Sequence, residues 1–128
     1  MLFKVSTTKN VNEASTALQA AVKDNGFGVM QVHNLKETME KKGVEFHREC
    51  LIFEICQPQQ AKKVLEQNMS ISTALPCRIS IYEEGSKTIL ATLRPTALLA
   101  MFNENQLEEL AQDIENTIIR IMKKAASE

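Results

Sequence analysis

Apolar and polar residues repeat along this chain with two periods, which predict strands and helices. The period of two residues predicts five strands, at residues 3–6, 27–33, 46–56, 77–83 and 87–93. The helical period predicts a first helix that Asn10 or Asn12 caps and Gly26 ends. Three more helices are predicted, at residues 37–42, from Pro58 to about Asn68, and from Glu104 to about Ala125.

The order of these elements predicts the fold class. Residues 77–93 form a predicted hairpin in which Gly85 supplies the positive φ of the tight loop. The long C-terminal helix carries one apolar stripe, formed by Leu107, Leu110, Ala111, Ile114, Ile118, Ile121 and Met122. Together they predict a single α+β domain over residues 1–128, an antiparallel sheet with the long C-terminal helix packed across one face.

The longest predicted strand, residues 46–56, has two different faces. Leu51, Phe53 and Ile55 alternate along one face, which is expected to meet the main core. The opposite face is mixed, yet it carries several apolar residues: Phe46, Cys50, Ile52 and Cys56. A short helix or a second subunit is expected to cover that face, and a homodimer is the favoured expectation.

Composition narrows the class of protein. The chain has 128 residues, 44% of them hydrophobic and 24% charged, which is typical of a globular domain. Fifteen basic and sixteen acidic residues give a net charge of −1 without a basic cluster, so nucleic acid is not an expected partner. The sequence shows neither a signal peptide nor a membrane span, and its odd number of cysteines predicts reduced thiols in the cytoplasm.

The cysteines lie at the ends of predicted strands. Cys56 ends one strand in Cys56-Gln-Pro58, and Cys77 opens another in Leu75-Pro-Cys-Arg78. If these strands are antiparallel neighbours, Cys56 and Cys77 lie close together, and a Cα separation of about 4.4–6.8 Å permits a reversible disulfide. Cys50 is about 20 Å from Cys56 in an extended chain and cannot join it. Packing is the favoured interpretation of these thiols, and a thiol redox role is the alternative, ahead of ligation of a metal or cofactor. Because no Cys-x-x-Cys occurs, neither a metal nor a cofactor is expected.

Other polar residues carry weaker signals. Arg78 could bind an anion, although an ion pair with the nearby Glu83 and Glu84 is the favoured interpretation. His47 and Glu49 share a face of the predicted strand and are interpreted as an exposed pair, while His33 is interpreted as a turn residue. Three methionines are predicted in the core: Met30, Met101 and Met122. No catalytic motif occurs, so no reaction can be named.

The Cys-x-Pro and Leu-Pro-Cys segments also carry a family resemblance. Together with Glu37-Thr-Met-Glu-Lys-Lys-Gly43, Ala61 and Pro95, they resemble the domain-of-unknown-function family numbered three hundred and two. The resemblance implies a TATA-binding-protein-like α+β fold, with a long helix across an antiparallel sheet and often a homodimer. It implies no activity, because the family has none established.

Three functional hypotheses follow from the sequence. The leading one is a non-catalytic, homodimeric binding domain that holds a small molecule or an anionic group near Cys56, Cys77 and Arg78. The alternative is a thiol redox protein with Cys56 as nucleophile and Cys77 as resolving group. The third is a structural domain whose C-terminal helix docks on another protein, which would leave the apolar stripe of that helix exposed.

Overall fold

Five antiparallel strands form one sheet with the spatial order β1-β5-β4-β3-β2. The strands are β1 (Leu2–Thr7), β2 (Gly28–Asn34), β3 (Cys50–Cys56), β4 (Cys77–Glu84) and β5 (Lys87–Leu93). The computed structural model describes all residues from 1 to 128. Because β1 and β2 are the edge strands, each has one side without a neighbouring strand in this chain.

Five α-helices and two 3-10 helices connect and cover the strands. They are α1 (Val11–Asp24), α2 (Leu35–Lys41), α3 (Pro58–Gln67), α4 (Pro95–Ala100) and α5 (Glu108–Ala126), with 3-10 helices at Met69–Ala74 and Asn105–Leu107. Asn10 rather than Asn12 caps α1, in a capping box with Glu13. No helix combines the length and the apolar composition that crossing a membrane requires.

The hydrophobic core lies on one face of the sheet, beneath α1 and α5. One cluster of 22 buried residues includes Phe53, Ile79 and Leu90 from the strands, together with Leu18 of α1 and Ile118 of α5. The predicted α+β class, with a C-terminal helix on an antiparallel sheet, is therefore confirmed. The apolar stripe of α5 is buried in this core, so the hypothesis that it stays exposed for docking is wrong.

The other side of the sheet, which we call the outer face, carries half-exposed side chains. On β3, Leu51, Phe53 and Ile55 are buried as predicted, whereas the alternating residues Cys50 and Ile52 are only half-buried. The outer-face residues of β3 and β4 do not belong to the core cluster; they are Cys50, Ile52, Glu54, Arg78, Ser80 and Tyr82.

The predicted strand at residues 46–56 begins too early. Strand β3 starts at Cys50, and His47 and Glu49 lie in the irregular segment before it rather than on one strand face. The neighbouring strand β2 pairs with β3 only as far as Asn34 opposite Leu51, because α2 begins at the next residue. Without that neighbour the segment loses one of the two ladders that would hold it as a strand.

Two further expectations fail at the ends of elements. Pro95 ends β5 as predicted, but it also opens α4, a helix that the sequence pattern did not predict. Met122 is fully buried, whereas Met30 and Met101 are 62% and 70% exposed, so their predicted place in the core is wrong. Met101 follows the last residue of α4, and Met30 lies on the edge strand β2, where a side chain has fewer neighbours.

Candidate functional site

Strands β3 and β4 bring two of the three cysteines together. They pair antiparallel with Ile55 opposite Cys77, so Cys56 at the end of β3 lies beside the beginning of β4. Both cysteines line one cavity of about 300 Å³. All three cysteines of the chain are free, and no disulfide joins Cys56 to Cys77.

The cavity lies on the core side of the sheet, between α3 and α4. The sequence creates it locally because Pro58 turns the chain into α3 directly after Cys56, and Pro95 turns it into α4 directly after β5. Eighteen residues line it: Phe27, Met30, Ile55, Cys56, Gln57, Gln60, Ala61, Val64, Leu65, Ser72, Ala74, Leu75, Pro76, Cys77, Pro95, Leu98, Leu99 and Ile114. Thirteen are hydrophobic and none is charged, so the wall offers no ion pair to a ligand.

A side-chain amide of α3 provides an unpaired polar atom at this cavity. Gln60 lines the cavity, and its Oε1 atom is buried without any hydrogen-bond partner. The neighbouring Gln57 is already engaged, because its Oε1 accepts from the Gln60 backbone N–H at 2.8 Å and its Nε2 donates to Gln59 at 2.6 Å. A buried acceptor without a donor costs about 1–3 kcal/mol, so Gln60 would gain a hydrogen bond if its side chain turned toward a donor group on a bound ligand.

The two thiols at the cavity are held in the protonated form. Burial, with a smaller contribution from the nearby Cys56, raises the pKa of the Cys77 thiol to about 11. Burial also raises the pKa of Cys56. Because the thiolate is the nucleophile and the metal ligand, these thiols are weakly reactive near neutral pH. They serve the cavity as part of its apolar wall.

Arg78 lies away from the cavity wall, on the outer face of the sheet. Its Nε atom is 3.6 Å from Oε2 of Glu54, the residue opposite it on β3. The same Glu54 oxygen is 3.2 Å from Nε2 of His33. The predicted ion pair with Glu83 or Glu84 is therefore wrong, because strand alternation and the β3–β4 register place Arg78 against Glu54.

The remaining sequence candidates form structural contacts. The side chain of His47 is exposed, and its Nε2 atom lies 3.6 Å from Oε2 of Glu45. His33, interpreted as a turn residue, is the penultimate residue of β2 and contacts Glu54. No group of three or more His, Cys, Asp and Glu residues is arranged to hold a metal ion. Gln60 was not among the site residues predicted from the sequence. Its position on α3, two residues after Pro58, is the sequence feature that could have identified it.

Comparison with known proteins places this chain in a family. Residues 3–125 match the family described as Domain of unknown function DUF302, the family numbered three hundred and two that the sequence resembles. This chain belongs to the DUF302 family. A crystal structure of an uncharacterized conserved DUF302 protein from Bacillus stearothermophilus is similar, with a TM-score of 0.92 and 31% identity over 97% of each chain. Among curated proteins, no sequence matches.

Proposed function

We propose that this DUF302 protein is a non-catalytic domain that binds a small, uncharged and largely apolar molecule. The cavity between α3 and α4 is the binding site. One observation supports this proposal above all: the cavity has no charged residue in its wall, and Gln60, one of its lining residues, has a buried Oε1 atom without a donor. Pockets for small molecules commonly combine an apolar wall with a few polar groups that fix orientation.

The volume of the cavity limits the size of its ligand. An engineered cavity of about 150 Å³ accommodates benzene, which has about six non-hydrogen atoms. At about 300 Å³, this cavity accommodates roughly a dozen non-hydrogen atoms on the same scale. A fused two-ring molecule with one hydroxyl group has that size, and its hydroxyl can donate to Gln60.

The cavity wall carries no charged residue, which favours a neutral ligand. The leading hypothesis from the sequence also allowed an anionic group as the ligand. An anion in this cavity would lose its hydration without meeting a cation, which is strongly unfavourable. Arg78, the cation predicted to hold it, is bound to Glu54 instead. We therefore propose a neutral ligand at Cys56 and Cys77, without a contribution from Arg78.

Three related probes test the class of ligand: naphthalene, 2-naphthol and 2-naphthoate. We expect 2-naphthol to bind more tightly than naphthalene by about fivefold, the effect of one hydrogen bond. We expect 2-naphthoate to bind most weakly, because its carboxylate meets no cation. Fluorescence titration at neutral pH measures all three. Tightest binding by 2-naphthoate would contradict the proposal and support an anion site.

Two substitutions on α3 assign the binding to the cavity. Gln60→Leu removes the acceptor, and we expect it to abolish the difference between 2-naphthol and naphthalene. Ala61→Trp fills the cavity and should abolish binding of both probes. The matched control is Gln67→Trp, which places the same side chain at an exposed position of the same helix. Equal affinity in the Ala61 and Gln67 variants would show that the probes bind elsewhere.

A thiol redox protein remains the alternative function. The proximity of Cys56 and Cys77 at one cavity favours it, because a nucleophile and a resolving thiol must meet. The protonation of both thiols argues against it, since burial raises their pKa values rather than lowering them. We therefore rank this function below ligand binding.

We also propose that the protein is a homodimer in the cytoplasm. The support for a dimer is the apolar surface that one copy leaves exposed, on the outer face and on β2. The support for the compartment is the set of three free thiols, which a reducing environment maintains. Sedimentation velocity over a range of protein concentrations tests the dimer directly.

A further inference from the structure

We propose that the free edge of β2 pairs antiparallel with β2 of a second copy of this chain. Within one chain, β2 is bonded to β3 alone and forms one end of the sheet. None of the turn, loop or cap hydrogen bonds between backbone groups involves residues 28–33. The edge therefore offers a row of backbone donors and acceptors that a further strand can satisfy.

The side chains of β2 make this edge unusually accessible. The strand reads Gly-Val-Met-Gln-Val-His-Asn, without a lysine, arginine, aspartate or glutamate. Val29, Met30 and Val32 are 36%, 62% and 42% exposed. Edge strands of monomeric proteins are commonly protected by charged side chains, which β2 lacks, and its one irregularity is a bulge at Met30, between the pairs Val29–Ile55 and Gln31–Glu54.

The opposite edge of the sheet is protected. Strand β1 carries an exposed Lys4 near its middle. At its end, Thr7 and Thr8 donate hydrogen bonds to the Glu128 side chain, which ties the strand to the last residue of the chain. The contrast between the two edges indicates that β2, and not β1, is the strand available for pairing.

The chemistry of β2 fits a second copy as its occupant. Two β2 strands that meet antiparallel around a two-fold axis form a closed, isologous contact. Because neither strand carries a fixed charge, self-pairing brings no like charges together and covers the valines and Met30 of both copies. Pairing of β2 with β1 of another copy would place Lys4 in the interface and would lead to an open-ended assembly.

The outer face is the competing surface for a second copy. Stacking there would bury the cluster of Glu54, His33 and Arg78, and removing such charges from water is costly. Pairing along β2 extends the sheet sideways and leaves that cluster in solvent. The edge is therefore the better dimer surface. This inference rests on the proposed homodimer, and Met30 is the residue that the edge shares with the cavity wall.

Charge substitutions test the edge. Val32→Lys and Val32→Glu place charges on β2, and Leu93→Lys is the matched control, since Leu93 on the outer face is 45% exposed against 42% for Val32. We expect each Val32 variant to weaken dimerisation by about tenfold or more through like-charge repulsion, while Leu93→Lys leaves it nearly unchanged. An equimolar mixture of the two Val32 variants should restore association, which damage to the fold would not allow.

Sedimentation velocity between about 1 and 100 μM, a range that covers micromolar dissociation constants, measures each variant. A wild-type dimer that Val32→Lys leaves intact would overturn the edge interface, and dissociation by Leu93→Lys would assign the dimer to the outer face. A wild-type monomer throughout this range would overturn both the homodimer and the edge. Titration of the same samples with 2-naphthol reports separately on the cavity, so failure of ligand binding is distinguished from failure of the interface.

Discussion

Arg94 and Glu115 join the end of β5 to α5, with Nη1 of Arg94 3.4 Å from Oε2 of Glu115. The other carboxylate oxygen accepts hydrogen bonds from the backbone and the hydroxyl of Thr96, at 3.1 and 2.6 Å. Glu115 is only 5% exposed, and the Arg94 guanidinium also lies 5.3 Å from the centre of the Phe3 ring. One buried carboxylate thus fastens the beginning of α4 to the C-terminal helix.

Removing this carboxylate should destabilise the protein markedly. We expect Glu115→Ala to lower the free energy of unfolding by about 2–4 kcal/mol, because Thr96 and Arg94 both lose a buried partner. Urea denaturation followed by circular dichroism measures the change. Glu109→Ala, at an exposed position of the same helix, is the control and should change stability by less than about 0.5 kcal/mol. Equal effects of the two substitutions would contradict the contact.

The same carboxylate predicts a dependence of stability on pH. Burial alone would raise the pKa of Glu115, but hydrogen bonds from Thr96 and the Arg94 charge together hold that pKa below its usual value. A carboxyl with a lower pKa in the folded state stabilises the fold above its unfolded pKa of about 4.3. This stability is lost as the pH falls through the folded pKa.

Unfolding free energies measured on both sides of about pH 4.3 check this effect. We expect the wild-type protein to lose stability more steeply on acidification than Glu115→Gln, which cannot release a proton at that position. Parallel curves for the two proteins would show that Glu115 does not contribute.

The capping box at the start of α1 gives a second stability prediction. The Asn10 side chain accepts from the Glu13 backbone N–H at 2.8 Å, and the Glu13 carboxylate accepts from the Asn10 N–H at 2.9 Å. We expect Asn10→Ala to cost about 1 kcal/mol. Asn12→Ala is the natural control, because the sequence allowed either asparagine as the cap. A larger loss for the Asn12 variant would contradict the cap that the structure shows.

Periodicity was enough to predict the parts of this fold that depend on one element at a time. The alternation of Leu51, Phe53 and Ile55 identified the buried face of β3, and the helical stripe of α5 identified its packed side. Both patterns record which side chains leave water, so they survive in the sequence without knowledge of any neighbour.

The site depends on neighbours that periodicity does not specify. The contact between Arg78 and Glu54 follows from the β3–β4 register, and the sequence places several closer acidic residues beside Arg78 as rivals. The cavity requires α3, α4 and the sheet at once, so Gln60 looked like an ordinary polar residue of a helix. The proximity of Cys56 and Cys77 could be predicted because it requires one condition only. That condition is antiparallel pairing of the two strands that carry them, β3 and β4.

The hairpin between β4 and β5 makes a third prediction. Gly85 has a φ of +63°, and a Cβ atom built there would meet nothing within 4 Å, so any cost of substitution comes from the backbone alone. We expect Gly85→Ala to lower stability by about 1–2 kcal/mol. Gly85→Asn should cost less, because asparagine tolerates this conformation. Thermal or urea unfolding measures both, and an alanine variant as stable as the wild type would contradict the turn geometry.

The Cys77 thiol provides the prediction that separates ligand binding from redox chemistry. Burial is the main cause of its pKa of about 11, so the C50S/C56S variant should retain a largely protonated Cys77. Because the thiolate is the reacting form, its alkylation by iodoacetamide should accelerate about tenfold per pH unit between about pH 8 and pH 10.

The same variant unfolded in urea is the control, and its rate should level off above about pH 9, since a free thiol has a pKa of about 8.5. A native rate that is already fast and constant below about pH 8 would reveal an activated thiolate, because only a lowered pKa gives that profile. Such a result would favour the redox function over a passive apolar wall, with Cys77 rather than the predicted Cys56 as the nucleophile.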